Sequence, residues 1–235
     1  MTRITDQRPI ILATHLTAKD SGGLPEILDL KNIPYVTLRL NKNDELPRDI
    51  SNYRGIVLFG GIQSANDDYI DYIYKELNWI DNAVNKEFPI FGICLGAQLV
   101  ARALGAKVLK NRSGLYEFGW YPVEPSEANP LAISEFSTFY QRHGEIFELP
   151  EGAKLAATNT TCKNQAFIYG NSVIATQFHP EINNSLLSSW LNKPRPLQDE
   201  KYYGAQDVEK QIKESALYIP PALAWLETTI DIWLT

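Results

Sequence analysis

One turn constrains the fold of this chain more than any other feature. Residues 89–98 read PIFGICLGAQ: an apolar run that predicts a buried strand, then Cys94, then a helical pattern. Gly92 and Gly96 stand two residues on either side of Cys94, which is the spacing of a nucleophile elbow with Cys in place of Ser. Such a turn leaves no room for Cβ atoms beside the nucleophile and sets the sulfur near a helix N-terminus. A buried, inert cysteine is the alternative, which the turn alone leaves open.

A second segment argues for the reactive interpretation. Residues 175–181 read ATQFHPE and follow an apolar strand pattern over 172–175. A thiol nucleophile needs a base, and the base needs an orienting group. His179 can be the base and Glu181 the orienting group, because residues two apart in an extended segment point the same way.

Together the two segments resemble a class I glutamine amidotransferase domain, and within that family the free-standing, GMP synthase-like group. The likeness runs from about Ile10 to Trp190. It includes GGIQSANDD at 60–68, FGWYPV at 118–123 and the His143-Gly144 pair. The resemblance implies an α/β, flavodoxin-like three-layer fold, with a mainly parallel mixed central sheet and helices on both faces. We expect residues 1–235 to form a single domain, with 191–235 as a C-terminal helical extension packed on it.

The resemblance also implies roles for individual residues. The expected catalytic residues are Cys94, His179 and Glu181. The oxyanion donors would be the backbone N–H groups of Gly61 and Leu95. Gly61 follows a predicted strand, and ligands bind at the carboxyl ends of the strands in open α/β sheets. The expected substrate contacts are Gln98, Gly144, Glu145, Arg142 and Glu117.

Several of these positions depart from the family pattern. Ile62 stands where many relatives have Pro, and Glu145 stands where they often have Asp. Arg142 replaces an aromatic or polar residue, and its guanidinium could pair with a carboxylate beyond the γ-glutamyl unit. Glu117 could hold the substrate's ammonium group, and an ordinary surface carboxylate is the equal alternative.

Composition limits the class of protein. The 235 residues are 44% hydrophobic and 21% charged, which is typical of a globular chain with a sizeable core. The net charge of −6 argues against a nucleic-acid groove. Two cysteines make no disulfide framework, and no signal peptide or membrane-spanning run is recognisable. These features predict a cytoplasmic protein with no nucleic-acid or membrane partner.

The predicted reaction is cleavage of a γ-glutamyl amide through a Cys94 thioester, with release of glutamate and ammonia or an amine. It needs no metal and no organic cofactor. One version is a glutaminase that passes ammonia to a synthase partner, and the other is a stand-alone γ-glutamyl peptidase. A non-catalytic regulatory protein on this scaffold and a different α/β cysteine hydrolase also stay open. The sequence leaves the oligomeric state open, and a homodimer is one possibility.

Three local expectations complete the interpretation. His15, in a polar loop after the first strand, is predicted to face solvent, although its position could also bring it near the active-site edge. Cys162 is predicted to be incidental. Helical spacing predicts one helix over 208–216 and a second over 222–234, which Pro220-Pro221 would start.

Overall fold

The computed structural model describes residues 6–111, 114–192 and 203–234. The part of the predicted extension at 193–202 lies outside them. The strands are β1 Ile10–Thr14, β2 Tyr35–Arg39, β3 Gly55–Leu58, β4 Ile90–Ile93, β5 Val108–Lys110, β6 Glu117–Pro122, β7 Glu124–Pro125, β8 Thr138–His143, β9 Glu145–Phe147, β10 Lys154–Thr158, β11 Ala166–Tyr169 and β12 Val173–Thr176. The helices are α1 Leu24–Leu30, α2 Asp71–Val84, α3 Leu95–Ala103, α4 Asn184–Leu191 and α5 Val208–Trp233.

The main sheet is mixed and has eight strands in the order β2-β1-β3-β4-β12-β11-β10-β7. The first five in this order are parallel, whereas β11, β10 and β7 pair antiparallel. Two-stranded antiparallel ribbons, β5–β9 and β6–β8, accompany it. Because parallel strands end at the same edge, the segments after β1, β3, β4 and β12 converge there.

The alternation of side chains along the strands builds the three layers. Successive residues of a strand point to opposite faces. Ile10 and Leu12 of β1 therefore join one apolar cluster, which contains α1 and α5, and Ile11 and Ala13 join another, which contains α2 and α3. The four central parallel strands are buried on both faces, in keeping with their continuous apolar runs.

The C-terminal helix corrects one expectation. Pro220 and Pro221 do not start a new helix; they lie inside the continuous 26-residue α5. A proline in a helix interior removes a backbone hydrogen bond. The helix nevertheless continues, because its buried stripe keeps helical spacing through the prolines and packs on the sheet and on the β6–β8 ribbon. The stripe consists of Ile219, Ala222, Leu226, Ile230 and Trp233.

None of the helices within the described ranges is both long and apolar enough to cross a bilayer. The cytoplasmic location stays a prediction, as does the assignment of all 235 residues to one domain.

We predict that the free energy of unfolding depends on the C-terminal helix. Trp233 is 5% exposed, stacks edge-on against Phe91 of β4 with ring centroids 6.0 Å apart, and donates from its indole nitrogen to the Ser172 carbonyl. Trp233→Ala should lower the free energy of unfolding by about 3–5 kcal/mol, since it leaves a cavity against the sheet. Denaturant unfolding measures the change.

Leu217→Ala is the matched control on the same helix, because Leu217 is 63% exposed. We expect it to change the free energy of unfolding by no more than about 0.5 kcal/mol. Equal effects of the two substitutions would show that α5 does not pack as an integral part of this fold.

Candidate active site

Cys94 lies at the tip of a strained turn between β4 and α3. Its φ of 52° and ψ of −107° are unusual for a residue with a side chain. The turn depends on both flanking glycines. A Cβ on Gly96 would come 2.1 Å from the Leu58 carbonyl oxygen, and one on Gly92 would come 2.8 Å from the backbone of α3. The sulfur is thereby held at the N-terminus of α3, where the helix dipole favours negative charge.

His179 and Glu181 follow β12, the strand beside β4. The Cys94 amide donates to the Thr176 carbonyl at 2.8 Å, and this bond ties the two strand ends together. Nδ1 of His179 lies 2.7 Å from the Glu181 carboxylate, and both side chains are nearly inaccessible to solvent. Gly22 and Gly23 lie close to the backbone of Glu181 on its other side, and the Gly23 amide donates to the Glu181 carbonyl at 2.8 Å, which fixes the backbone that carries this carboxylate.

The cysteine and histidine meet at Gly60. A Cβ on this glycine would lie 2.9 Å from Cε1 of His179 and 3.5 Å from Cβ of Cys94. Nε2 of His179 is buried and makes no hydrogen bond within the described part of the chain, so it is free to exchange a proton with the sulfur or a ligand. The structure therefore brings Cys94, His179 and Glu181 together.

The electrostatics of this group favour a charged imidazole. Burial disfavours the imidazolium, but the Glu181 carboxylate and the Cys94 sulfur outweigh that penalty and raise the pKa of His179 to about 10. His179 is consequently protonated at neutral pH and faces the cysteine as an imidazolium.

A cavity of about 670 Å³ opens over these residues. Gly61 and Leu95 line its wall together with Cys94. Neither backbone amide is used in a hydrogen bond among the residues described, so both N–H groups can bind a ligand atom near the sulfur.

The residues expected to grip a substrate line the same cavity, with one exception. Gln98 donates to the Glu145 carbonyl at 3.0 Å, and the Glu145 carboxylate accepts from the Ser64 hydroxyl at 2.7 Å. Gly144 lies so close to Tyr116 that an added Cβ would come 2.7 Å from its ring. These contacts join the loop after β3 to the β8–β9 turn and make one continuous wall.

Arg142 also lines the cavity. Its guanidinium carbon lies 5.4 Å from the centre of the Phe118 ring and 5.0 Å from that of Trp190. Trp190 in turn packs against the His179 ring at 4.7 Å. The Trp190 indole therefore lies between the Arg142 guanidinium and the His179 imidazole. Within the described residues, Arg142 makes no ion pair, and its buried Nε has no hydrogen-bond partner. The sequence interpretation missed Trp190, because no local motif around this residue of α4 indicates the contact.

Glu117 is the exception, and the expectation for it is corrected. It is 2% exposed and does not reach the cavity wall. Its carboxylate accepts from His143 at 2.8 Å and from Asn159, Thr161 and Gln165. Burial favours the neutral acid, but His143 and these donors hold the pKa of Glu117 below its usual range. No oxygen of this carboxylate is left for an ammonium group.

Cys162 completes that buried network. Burial, reinforced by the Glu117 charge, raises the pKa of its thiol to about 12, so it is not a competing thiolate. Potential ligand atoms of Glu117, His143 and Cys162 lie within 4.8 Å of one another, close enough to share a metal ion. Glu117 and Nε2 of His143 are already bonded to each other and to neighbouring amides, so a metal ion held by these two atoms would have to replace those bonds.

The prediction that His15 faces solvent is wrong. The side chain is 0% exposed, with Nε2 2.8 Å from the Glu76 carboxylate and Nδ1 3.3 Å from the Gly60 carbonyl oxygen. Its position just after β1 was the only signal in the sequence, and the partner Glu76 could not be identified from it.

Comparisons with known proteins identify the family of the chain. A family model described as glutamine amidotransferase class-I matches residues 29–193. The chain is 32% identical over 154 residues to one subunit of the glutamine-hydrolyzing GMP synthase of Thermoplasma acidophilum, covering 64% of this chain and 74% of that protein.

Solved structures show the same likeness over nearly the whole chain. A glutamine amidotransferase from Methylobacillus flagellatus superimposes with a TM-score of 0.86 at 25% identity, covering 97% of this chain and 95% of that one. A glutamine amidotransferase from Thermotoga maritima superimposes with a TM-score of 0.80 at 27% identity, covering 97% of this chain and 99% of that one. The predicted α/β fold is thus confirmed, and because the family model spans more than half of its residues, this chain belongs to the class I glutamine amidotransferase family.

Proposed function

We propose that this protein hydrolyses the side-chain amide of glutamine, or of a related γ-glutamyl compound, through a thioester on Cys94. The observation that carries the proposal is the meeting of Cys94 with the His179–Glu181 pair at the floor of the cavity. No other cysteine in the described residues combines a strained turn, a helix N-terminus and an adjacent imidazole.

The first half of the reaction forms the thioester. With the cysteine proton already held by His179, the Cys94 sulfur attacks the amide carbon to give a tetrahedral adduct. The C–N bond then breaks as His179 returns a proton to the leaving nitrogen, which departs as ammonia or an amine. Glu181 holds the imidazole in one orientation and stabilises its charged form. Positioned proton transfer of this kind contributes about 10²–10⁴ in rate.

The second half releases glutamate. Water attacks the thioester carbonyl, His179 accepts the proton of that water, and the C–S bond breaks to restore the thiolate. In both halves the N–H groups of Gly61 and Leu95 stabilise the oxyanion, and one such donor is worth about 10²–10³ in rate. Gln98, Gly144 and Glu145 would bind the amino-acid end of the substrate, since they form the wall facing these donors.

A synthase partner that receives ammonia is supported by the similarity to the GMP synthase of Thermoplasma acidophilum. Such a partner would raise the rate of glutamine hydrolysis on complex formation. A stand-alone hydrolase would instead be fully active in isolation.

One observation favours the stand-alone version with a larger substrate. His179 serves the leaving nitrogen, and Arg142 lies beside His179 across Trp190. A substituent on that nitrogen would extend toward the guanidinium. The second candidate function is therefore hydrolysis of γ-glutamyl conjugates whose leaving amine carries a carboxylate.

Labelling of the thiol tests the nucleophile. An alkylating glutamine analogue should modify Cys94, because glutamine-like binding places its electrophile at the sulfur. Peptide mass spectrometry locates the label. Cys94→Ser should abolish it, whereas Cys162→Ser, which removes the other cysteine, should leave it unchanged. Labelling of Cys162, or none at all, would favour the non-catalytic alternative.

The pH profile of glutamine hydrolysis tests the His179–Glu181 pair. The pKa of His179 is raised to about 10, so the proton needed by the leaving nitrogen is present below that pH and is lost as pH rises through it. We expect kcat/KM to decline through about pH 10. Glu181→Gln removes the largest cause of the raised pKa; it should move the decline to lower pH and reduce kcat about 10²-fold or more.

The control for this substitution is Glu148→Gln, which changes an exposed carboxylate outside the cavity. Its pH profile should match that of the original protein. An unchanged alkaline limb in Glu181→Gln would contradict the assigned role of the pair.

Two matched substrates test Arg142. γ-Glutamylglycine carries a carboxylate on the leaving amine, and γ-glutamylethylamide has a neutral group of similar size. Loss of a charge-assisted hydrogen bond in Arg142→Ala should lower kcat/KM for γ-glutamylglycine by about 10- to 100-fold. Turnover of the ethylamide and of glutamine should change by less than about threefold. Equal losses on all three substrates would remove Arg142 from the recognition of a leaving-group carboxylate.

A further inference from the structure

The buried pair of His15 and Glu76 lies directly behind the loop that follows β3. His15 comes immediately after β1, and Glu76 projects from the middle of α2. Both side chains are 0% exposed, and the ring nitrogen–carboxylate distance is 2.8 Å. Neither residue lines the cavity, so neither can contact a substrate there.

The contacts of His15 suit a charged ring. Nε2 faces the Glu76 carboxylate and Nδ1 faces the Gly60 carbonyl oxygen, and both of these groups are acceptors. A neutral imidazole has only one N–H, so only the imidazolium donates to both. Burial opposes this charge, but Glu76 outweighs it and raises the pKa of His15. The ring of Tyr72, 6.3 Å away, and the Phe59 carbonyl are the other groups near it.

The bond to Gly60 determines the direction of the neighbouring N–H. The carbonyl of Gly60 and the amide of Gly61 belong to one planar peptide unit, and the described residues contain no cis peptide. In a trans peptide the N–H points opposite to the carbonyl. With the carbonyl directed at His15 behind the loop, the Gly61 N–H is directed away from His15, toward the cavity that Gly61 lines.

This peptide needs an external restraint because glycine flanks it on both sides. Without Cβ atoms, Gly60 and Gly61 can adopt many backbone conformations, including those in which the peptide is flipped. A flip would turn the Gly60 carbonyl toward the sulfur and would place an acceptor where a developing oxyanion needs a donor. His15 opposes the flip because it binds the carbonyl, and its side chain lies beside Gly61, where an added Cβ would come 3.0 Å from the His15 Cβ.

We propose that the His15–Glu76 pair is a positioning device that holds the Gly60–Gly61 peptide with its N–H facing the Cys94 sulfur. The inference rests on the proposed function, since it concerns the oxyanion donor of that reaction. The imidazolium also polarises the peptide to which it is bonded and makes the Gly61 N–H a stronger donor. Glu76 acts through His15, by keeping the ring charged and fixed in direction.

Two double variants separate this role from a merely structural one. Removal of a single partner would leave an unpaired buried charge and could prevent folding, so both partners are replaced. His15→Phe with Glu76→Leu removes the ion pair and the donor to Gly60. His15→Asn with Glu76→Leu also removes the ion pair, but an Asn side-chain nitrogen stands as many bonds from the backbone as Nδ1 and can still donate to the Gly60 carbonyl. Thermal unfolding verifies that each variant is folded.

The first test compares kcat and KM for glutamine hydrolysis in the two double variants. An oxyanion donor acts on the transition state, so its loss lowers kcat with little change in KM. We expect the Phe/Leu variant to lose about 10²–10³ in kcat and the Asn/Leu variant to stay within about tenfold of the original protein. A folded Phe/Leu variant with unchanged kcat would overturn the proposal, as would equal losses in both variants.

Crystal structures of the two variants give a second answer that does not depend on activity. The Gly60 carbonyl should be flipped or disordered in the Phe/Leu variant and should keep its direction in the Asn/Leu variant. An unmoved carbonyl in the Phe/Leu variant would overturn the positioning role. If the original protein hydrolyses no γ-glutamyl amide, the proposed function fails, and the carbonyl direction still decides whether the pair holds the loop.

Discussion

The structure depends on the contact between the backbone of α3 and the end of β3, at Gly96 and the Leu58 carbonyl. An added Cβ on Gly96 would come 2.1 Å from that oxygen, so no other residue type could start the helix this close to the sheet. The contact forces the chain to reverse at Cys94 with a positive φ. Strain of this kind persists only where its surroundings over-determine it. Here the two central strands, a buried helix and the bond from Cys94 to Thr176 supply that restraint.

Strand order then decides what meets the cysteine. The parallel strands β1, β3, β4 and β12 follow one another in the sheet, so the carboxyl ends of adjacent strands are about 5 Å apart. β12 delivers His179 and Glu181, β3 delivers Gly60 and Gly61, and β1 delivers His15 from behind. The β6–β8 ribbon closes the opposite wall with Arg142 and Gly144. A site assembled in this way is positioned by the buried strands, since its contributors lie in the segments that follow them.

Sequence alone predicted those parts of this site that depend on residues close together in the chain. Cys94 is identified by glycines two residues away, and Glu181 by its separation of two from His179. His15 could not be assigned correctly, because its partner Glu76 is 61 residues away and no local pattern connects them. Glu117 was misjudged for the same reason: its donors come from the end of β8 and from the loop between β10 and β11, which meet it only in the fold. The two prolines of α5 were misinterpreted because tertiary packing outweighs a local helix-breaking preference.

All three histidines of the chain are buried against a glutamate, at 2.8 Å for His15–Glu76, 2.8 Å for His143–Glu117 and 2.7 Å for His179–Glu181. The raised pKa values of His15 and His179 make their two pairs buried ion pairs, which add little net stability compared with apolar packing because two charges must be removed from water. Their recurrence therefore calls for another explanation. Breaking either one leaves an uncompensated charge, so each of these two pairs strongly fixes the direction of its ring. His179 and His15 are both fixed facing the loop around Gly60, one from the cavity and one from behind. We conclude that the pairs orient groups at this edge of the sheet. The two apolar clusters beneath it cannot do so, because apolar contacts have no preferred direction.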